Sequence, residues 1–207
     1  MEDLNKTKKD KAEETPIDDT MGLKMSGHIL IRDKESGEEL VNKRNAIHYG
    51  NMANIIARAM TDKLGDYYIH FMGFGNGATS VDTAGKVIYK SPRVSESYES
   101  SGTLYSRTYQ KVVSNNTATD KIEVIPGPSY TDLKITCTLG YNEPSDADAF
   151  DTSTTNDGSY VFDELGLLSY ADDINDSILL THVIFHPVQK SKNREIEIVY
   201  TVRVQLN

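Results

Sequence analysis

The sequence predicts a mainly β protein: an antiparallel β-sandwich covered by one α-helix and preceded by an extended N-terminal arm. Three observations carry that expectation. At the C-terminus Ile196, Ile198, Tyr200, Val202, Val204 and Leu206 alternate with Glu195, Glu197, Val199, Thr201, Arg203 and Gln205, giving an extended chain one apolar and one mostly polar face. Short runs of similar character recur along the chain between turn-forming residues. Only one segment repeats its apolar residues at three and four, whereas a doubly wound sheet would need helices between its strands. No repeat at a fixed period is present, which argues against a solenoid.

Residues 1–25, MEDLNKTKKDKAEETPIDDTMGLKM, set Lys6, Lys8, Lys9 and Lys11 beside Asp10, Glu13, Glu14, Asp18 and Asp19, with no aromatic residue and scattered apolar ones. Such a stretch has no face from which to build a core and reads as an arm, distinct from a sandwich-like domain over 26–207. Ordering it would cost roughly 1–2 kcal/mol per residue in backbone entropy, so it is expected to run across an extended surface of another chain. HILIRD and ELVNK flank KESGE, whose Ser36 and Gly37 favour a turn, as a hairpin. The helix is predicted at about 46–63, where Met52, Ile55, Ile56, Ala59 and Met60 share a face, Asn45 is the expected cap and Gly65 lies past the end. Its one-sided stripe suits a helix lying across a sheet, with Ile55, Ile56 and Met60 packed on Ile198, Tyr200 and Val202.

The remaining strand candidates are YYIHFMGF (67–74), GKVIYK (85–90), TLYSRTYQKVV (103–113), KIEVI (121–125), DLKITCTLG (132–140), YVFDELGLLSY (160–170) and ILLTHVIF (178–185). Within YVFDELGLLSY, the face of Val161, Asp163, Leu165, Leu167 and Ser169 is the more continuously apolar and is expected to point to the core. A central glycine weakens a strand, so Gly166 is expected where another group comes close.

Composition bounds the function. The chain has 207 residues, enough for one domain with a sizeable core, and a net charge of -9. With that charge and no basic stripe legible in the sequence, binding to a phosphate backbone is not expected, so no nucleic-acid partner is assigned. No apolar run approaches the ~18 residues that span a bilayer, and the N-terminus is charged, so the expected setting is the cytoplasm or an assembled particle, with no membrane partner. The single cysteine, Cys137, falls on the apolar side with Leu133, Ile135 and Leu139 and reads as a small buried hydrophobe.

Residues that could carry chemistry have plainer readings. GFGNGATS (73–80) resembles a phosphate-cradling loop in its glycines, but such a loop leads into a helix; here Val81, Asp82 and Gly85 lead to the strand-like KVIYK, so a turn that uses glycine's tolerance of positive φ is favoured. Of His28, His48, His70, His182 and His186, the pair 182 and 186 would share one strand face about 13 Å apart, too far for one metal ion. EPSDADAFDTSTTNDG holds Asp146, Asp148, Asp151 and Asp157 without the glycine and terminal Glu of a calcium loop. Asp163 and Glu164 are adjacent, so on an ideal strand they point to opposite faces and cannot form an acid/base pair. Twelve tyrosines leave open a binding surface for sugar or protein, although Tyr67, Tyr89, Tyr105, Tyr109 and Tyr200 also suit ordinary strand positions. No catalytic, cofactor-binding or metal residue is therefore assigned, and an enzyme is not expected.

MGFGNGATSVD, followed by VFDELGL with Glu164, Leu165, Gly166 and Leu167, and by the closing pair LLTHVIFHPVQKSKNREIEIVYTVRVQ, resembles virion proteins of tailed bacteriophages. The likeness is to tail, baseplate and fibre-attachment components of contractile-tailed phages of the T4-like and cyanophage type, and covers about residues 26–207. These are turn and strand motifs, so the resemblance implies a scaffold and no active site. It implies a structural role in the virion through contacts with other virion proteins and with copies of itself. A neck, head-accessory or decoration protein, or a receptor- or sugar-binding module using the tyrosines and the loop 142–159, is the alternative.

Overall fold

The computed structural model describes residues 22–61, 65, 67–94, 103–144 and 159–206. β1 (Leu23–Asp33) and β2 (Glu39–Arg44) form the expected hairpin, with Gly37 at φ 74° in its turn. β12 (Ile196–Leu206) pairs along the whole of β1, and β9 (Tyr130–Leu139) and β8 (Lys121–Pro126) extend this first sheet to the order β2-β1-β12-β9-β8. The second sheet has the order β3-β11-β10-β4-β7, from β3 (Ala46–Ile47), β11 (Leu179–Ser191), β10 (Ser159–Ser169), β4 (Ile69–Gly75) and β7 (Arg107–Val112). All pairings are antiparallel, and a small hairpin of β5 (Thr79–Val81) and β6 (Val87–Tyr89) lies against β11.

Inward side chains of the two sheets make the core. Ile29, Ile31, Ile135, Cys137, Ile198 and Tyr200 meet Met72, Phe74, Phe162, Leu165, Leu167 and Val183 in one cluster, and the alternation read in β12 is realised from Ile196 to Val202. Burial of Tyr200 leaves its hydroxyl in need of partners, and Asn45 Nδ2 donates to it at 2.6 Å. Pro187, which has no N–H, sits in β11 where the ladder with β10 is interrupted between Ile184 and Val188.

β10 departs from its predicted register. Leu165 and Leu167 are buried as expected, but Tyr160 and Phe162 also enter the core and Val161 is exposed. A bulge at Asp163, between the paired residues Phe162 and Glu164, switches the faces, which strict alternation cannot describe. Gly166 behaves as expected: a Cβ there would lie 2.8 Å from the Thr181 carbonyl oxygen and 2.6 Å from Leu179.

The helix α1 (Tyr49–Met60) is shorter than the predicted 46–63 and is capped by His48, whose Nδ1 accepts from the Asn51 amide at 3.2 Å, and not by Asn45. Ala46 and Ile47 pair with His182 and Thr181 as β3, which keeps the chain extended until the cap. Asn51 Nδ2 donates to the Leu179 carbonyl at 2.7 Å and ties the helix to β11. Met52 enters the core and Ile55 and Ile56 pack against it half-buried, but Met60 in the last turn is 81% exposed and does not pack on β12.

The two sheets do not end together. Register places Leu23 opposite Leu206, Val204 opposite Thr131 and Val124 opposite Leu133, all on the core-facing side of the first sheet. Yet Leu23 and Leu206 are 46% and 57% exposed, so the sheet projects past its partner there, and Val124, 66% exposed on the edge strand β8 in the row of buried Val202, adds to the apolar shelf from the side. β1 also begins inside the predicted arm, because Leu23 and Met25 continue its alternation against Leu206 and Val204. Residues 1–21, with the expected contact to another chain, lie outside the described residues.

Candidate functional site

The most chemically suggestive residues converge under the Gly-rich loop. The β10 bulge lets both acids of the Asp163–Glu164 step reach one loop, contrary to the opposite-face expectation for an ideal strand. Glu164 is fully buried; Oε1 accepts from the Gly77 amide at 3.3 Å and the Ser106 amide at 2.9 Å, and Oε2 from the Tyr105 amide at 3.0 Å and His182 Nε2 at 2.9 Å. Asp163 accepts from the amides of Ala78 and Thr79, at 3.1 and 2.8 Å, and from the Thr79 hydroxyl. Burial works against ionisation of Glu164, but the bonds from His182 and the Ser106 and Tyr105 amides outweigh it and hold the carboxyl below its usual range.

The arrangement fixes the state of His182. Its Nδ1 accepts the Arg93 amide at 2.9 Å, so the ring proton sits on Nε2 and is donated to Glu164. Both ring nitrogens and both carboxylate oxygens are therefore engaged with the protein itself. The group holds the loops at 76–79, 93 and 105–106 together.

The glycines of GFGNGATS serve close approach, and not the positive φ expected of them. A Cβ at Gly75 would fall 2.5 Å from both Glu164 Oε1 and the Ser106 carbonyl oxygen, and one at Gly77 would fall 2.9 Å from the Ser106 nitrogen. The glycines with positive φ among the described residues are Gly37, Gly65 and Gly85. Adjacent acids inside the apolar run VFDELGLL were the available signal for this clasp, since a buried carboxylate needs donors and a glycine loop offers free amides.

The other candidates scatter. His48 caps α1, His70 bonds Ser114 Oγ at 2.6 Å, His28 meets Asn42, and exposed His186 meets the Tyr89 hydroxyl at 3.3 Å. Among the described residues, no group of three or more His, Cys, Asp or Glu side chains gathers as for a metal ion. Cys137 is fully buried, and burial first, then the nearby Asp120, pushes its thiol well up. Glu143 accepts from the Tyr109 hydroxyl at 2.7 Å and Lys111 at 2.9 Å, whereas Asp146, Asp148, Asp151 and Asp157 lie outside the described residues. Of the tyrosines, Tyr200 is core and Tyr67 lies under Arg58 at 3.9 Å, but Tyr89 and Tyr105 are exposed beside Lys43, Lys90 and Arg93.

One surface feature was not legible in the sequence. On the outer side of the first sheet, at the projecting end, Arg44, His28, Thr201 and Lys134 form one cross-strand row, and Ser26 and Arg203 the next. Lys24, His28, Arg44 and Arg203 line a cleft of about 340 Å³. Arg203 is held by Asp132 at 2.7 and 2.8 Å and Lys134 lies directly opposite Glu123 on β8, whereas Lys24 and Arg44 have no acidic partner among the described residues. The basic stripe missing from the sequence is assembled from four strands. Comparison with family models, curated proteins and solved structures finds no match to this chain.

Proposed function

We propose that this chain is a non-enzymatic structural component of a tailed-phage virion, in the tail, baseplate or fibre-attachment region, and works through protein–protein interfaces. The observation that carries the assembly reading is the apolar shelf: Leu23, Val124 and Leu206 stand on the core-facing side of a sheet, outside the core. A hollow of about 570 Å³ opens beside it, lined by Pro128, Tyr130, Val204 and Leu206. Exposed apolar side chains gathered at one end of a sheet are the kind of surface that marks interaction sites on folded proteins. Placement in a phage rests on the resemblance, whose two segments, the Gly-rich loop and VFDELGL, are the pair joined by the Asp163–Glu164 clasp.

Mass spectrometry of purified, dissected virions tests the reading, with the chain expected in the tail fraction and its density traceable by cryo-electron microscopy. Its absence from purified particles would sink the proposal. The exposed pair Tyr89 and Tyr105, with cations beside both rings, favours a sugar- or receptor-binding module as the second reading. A glycan array without hits would remove that alternative.

A further inference from the structure

The basic end of the first sheet faces away from the core, and the part of the chain that precedes β1 leaves from the same place. Lys24, which lines the cleft, lies directly after the residues that join the strand to the N-terminal segment. That segment contains EETPIDD, residues 13–19, with Glu13, Glu14, Asp18 and Asp19 and no basic residue among them. In a chain of net charge -9, a cleft with unpaired cations and a purely acidic run a few residues away are complementary.

We infer that this basic face is the docking site for residues 13–19 of a second copy of the chain. The dimensions allow it: from Arg44 on β2 to Arg203 on β12 the cleft crosses two strand spacings, roughly 10 Å, within the roughly 20 Å that an extended run from residue 13 to 19 spans. A neighbour meets no constraint in laying the run across the strands. In its own chain only Thr20, Met21 and Gly22 separate Asp19 from Leu23, which is fixed opposite Leu206, so the segment would have to reverse at once. The other end of the same outer face offers no such site, because there Arg32 is paired with Glu197 at 2.7 Å. The inference rests on the assembly reading and names one of its contacts.

Sedimentation velocity on the full chain at low salt tests it. The wild type should self-associate, and more weakly as salt rises, since exposed charges are screened. Lys24→Glu with Arg44→Glu should weaken association by about tenfold or more, and so should Glu13→Lys with Glu14→Lys, Asp18→Lys and Asp19→Lys. Mixing the two variants, or combining both reversals in one chain, should restore it, which no folding defect would do. A wild type that stays monomeric, or reversals that leave association unchanged, overturn the inference. So does a DNA duplex that binds the wild type and the reversed-arm chain alike while arm reversal leaves self-association unchanged. A monomeric chain still found in virions removes this contact alone, whereas a self-associating chain absent from virions removes the assembly reading alone.

Discussion

Beneath the Gly-rich loop, a fully buried glutamate accepts from three backbone amides and a histidine; at the far end of β12, an apolar side chain on the core-facing side of a sheet is more than half exposed. The first region contains residues with the chemistry of an active site, each satisfied by the protein itself. The second brings exposed aliphatic side chains and cations together, of which Lys24 and Arg44 have no acidic partner among the described residues. Chemical type is thus a poor guide to function here, and the better guide is whether a group's demands are already met inside the fold. Buried groups that are fully paired hold loops in place, and it is the unmet surface on which the proposed assembly role rests.

That contrast breaks most directly at Glu164. Glu164→Leu would leave the His182 Nε2 proton and the amides of Gly77, Tyr105 and Ser106 without their acceptor in a buried site. The expected loss, read by denaturant unfolding, is on the order of 3–5 kcal/mol. A variant as stable as the wild type would mean that the clasp is dispensable, and the pair would again be a candidate for chemistry. Gly75→Ala addresses the same clasp from the loop side, because the new methyl must displace both Glu164 and the Ser106 backbone. About 1–3 kcal/mol is expected, the usual effect of overpacking, and the Glu164→Leu background should reduce it, since one obstructing side chain is then changed.

Acid sharpens the comparison. Glu164 and Glu143 are held below the usual carboxylate range despite burial, Glu143 by the Tyr109 hydroxyl, Lys111 and the Gly140 amide; Asp33 is held down first by the Ser36 amide and then by Arg194. For such groups the folded state binds its proton less readily than the unfolded chain, whose carboxyls titrate near pH ~4. Their stabilisation is therefore complete above that value and is lost as pH falls through the lower folded values. Unfolding free energy should decline most steeply below pH ~4, after a smaller decline that begins near pH ~6.5, where unfolded histidine takes up a proton that the burial of His70 disfavours in the folded chain. Glu164→Gln should be less stable at neutral pH and show a shallower acid decline. An acid profile identical to that of the wild type would show that Glu164 is not held in its charged form.

Most of the sandwich was legible because a buried face imposes its period on the sequence. β12, the β1–β2 hairpin and the strand around Cys137 carry apolar residues on alternate positions and lie within a residue or two of the expected bounds at their core ends. Where the chain breaks its own period, sequence reading failed for a physical reason. The bulge at Asp163 reverses the faces of β10. The short strand β3 delays α1 to His48, and β5 is too short to show a period at all. The basic face was invisible because Lys24, Arg44, Lys134 and Arg203 become neighbours only through strand register. The shelf was hidden differently: Val204 and Leu206 share the apolar face read in β12, but periodicity reports which way a side chain points and says nothing of where the opposing sheet ends.

The smallest expected effect on stability lies at the shelf, and it is the most informative about function. Val124→Lys places a charge on an edge strand, the substitution by which natural edge strands resist pairing with other chains, and Leu206→Ser removes the exposed end of β12. Both side chains are more than half exposed, so neither change should create a cavity, and each should alter unfolding free energy by no more than about 0.5 kcal/mol. If the shelf is an interface, the same pair should lower incorporation into virions strongly while the melting temperature of the isolated chain hardly moves. A fall of several degrees in melting temperature would instead show that the shelf is core, covered in solution by the chain itself. Normal incorporation at an unchanged melting temperature would leave the apolar residues without a partner and take away the observation on which assembly rests. The two measurements must therefore be made on the same variant, because only their divergence separates a surface that binds from one that stabilises.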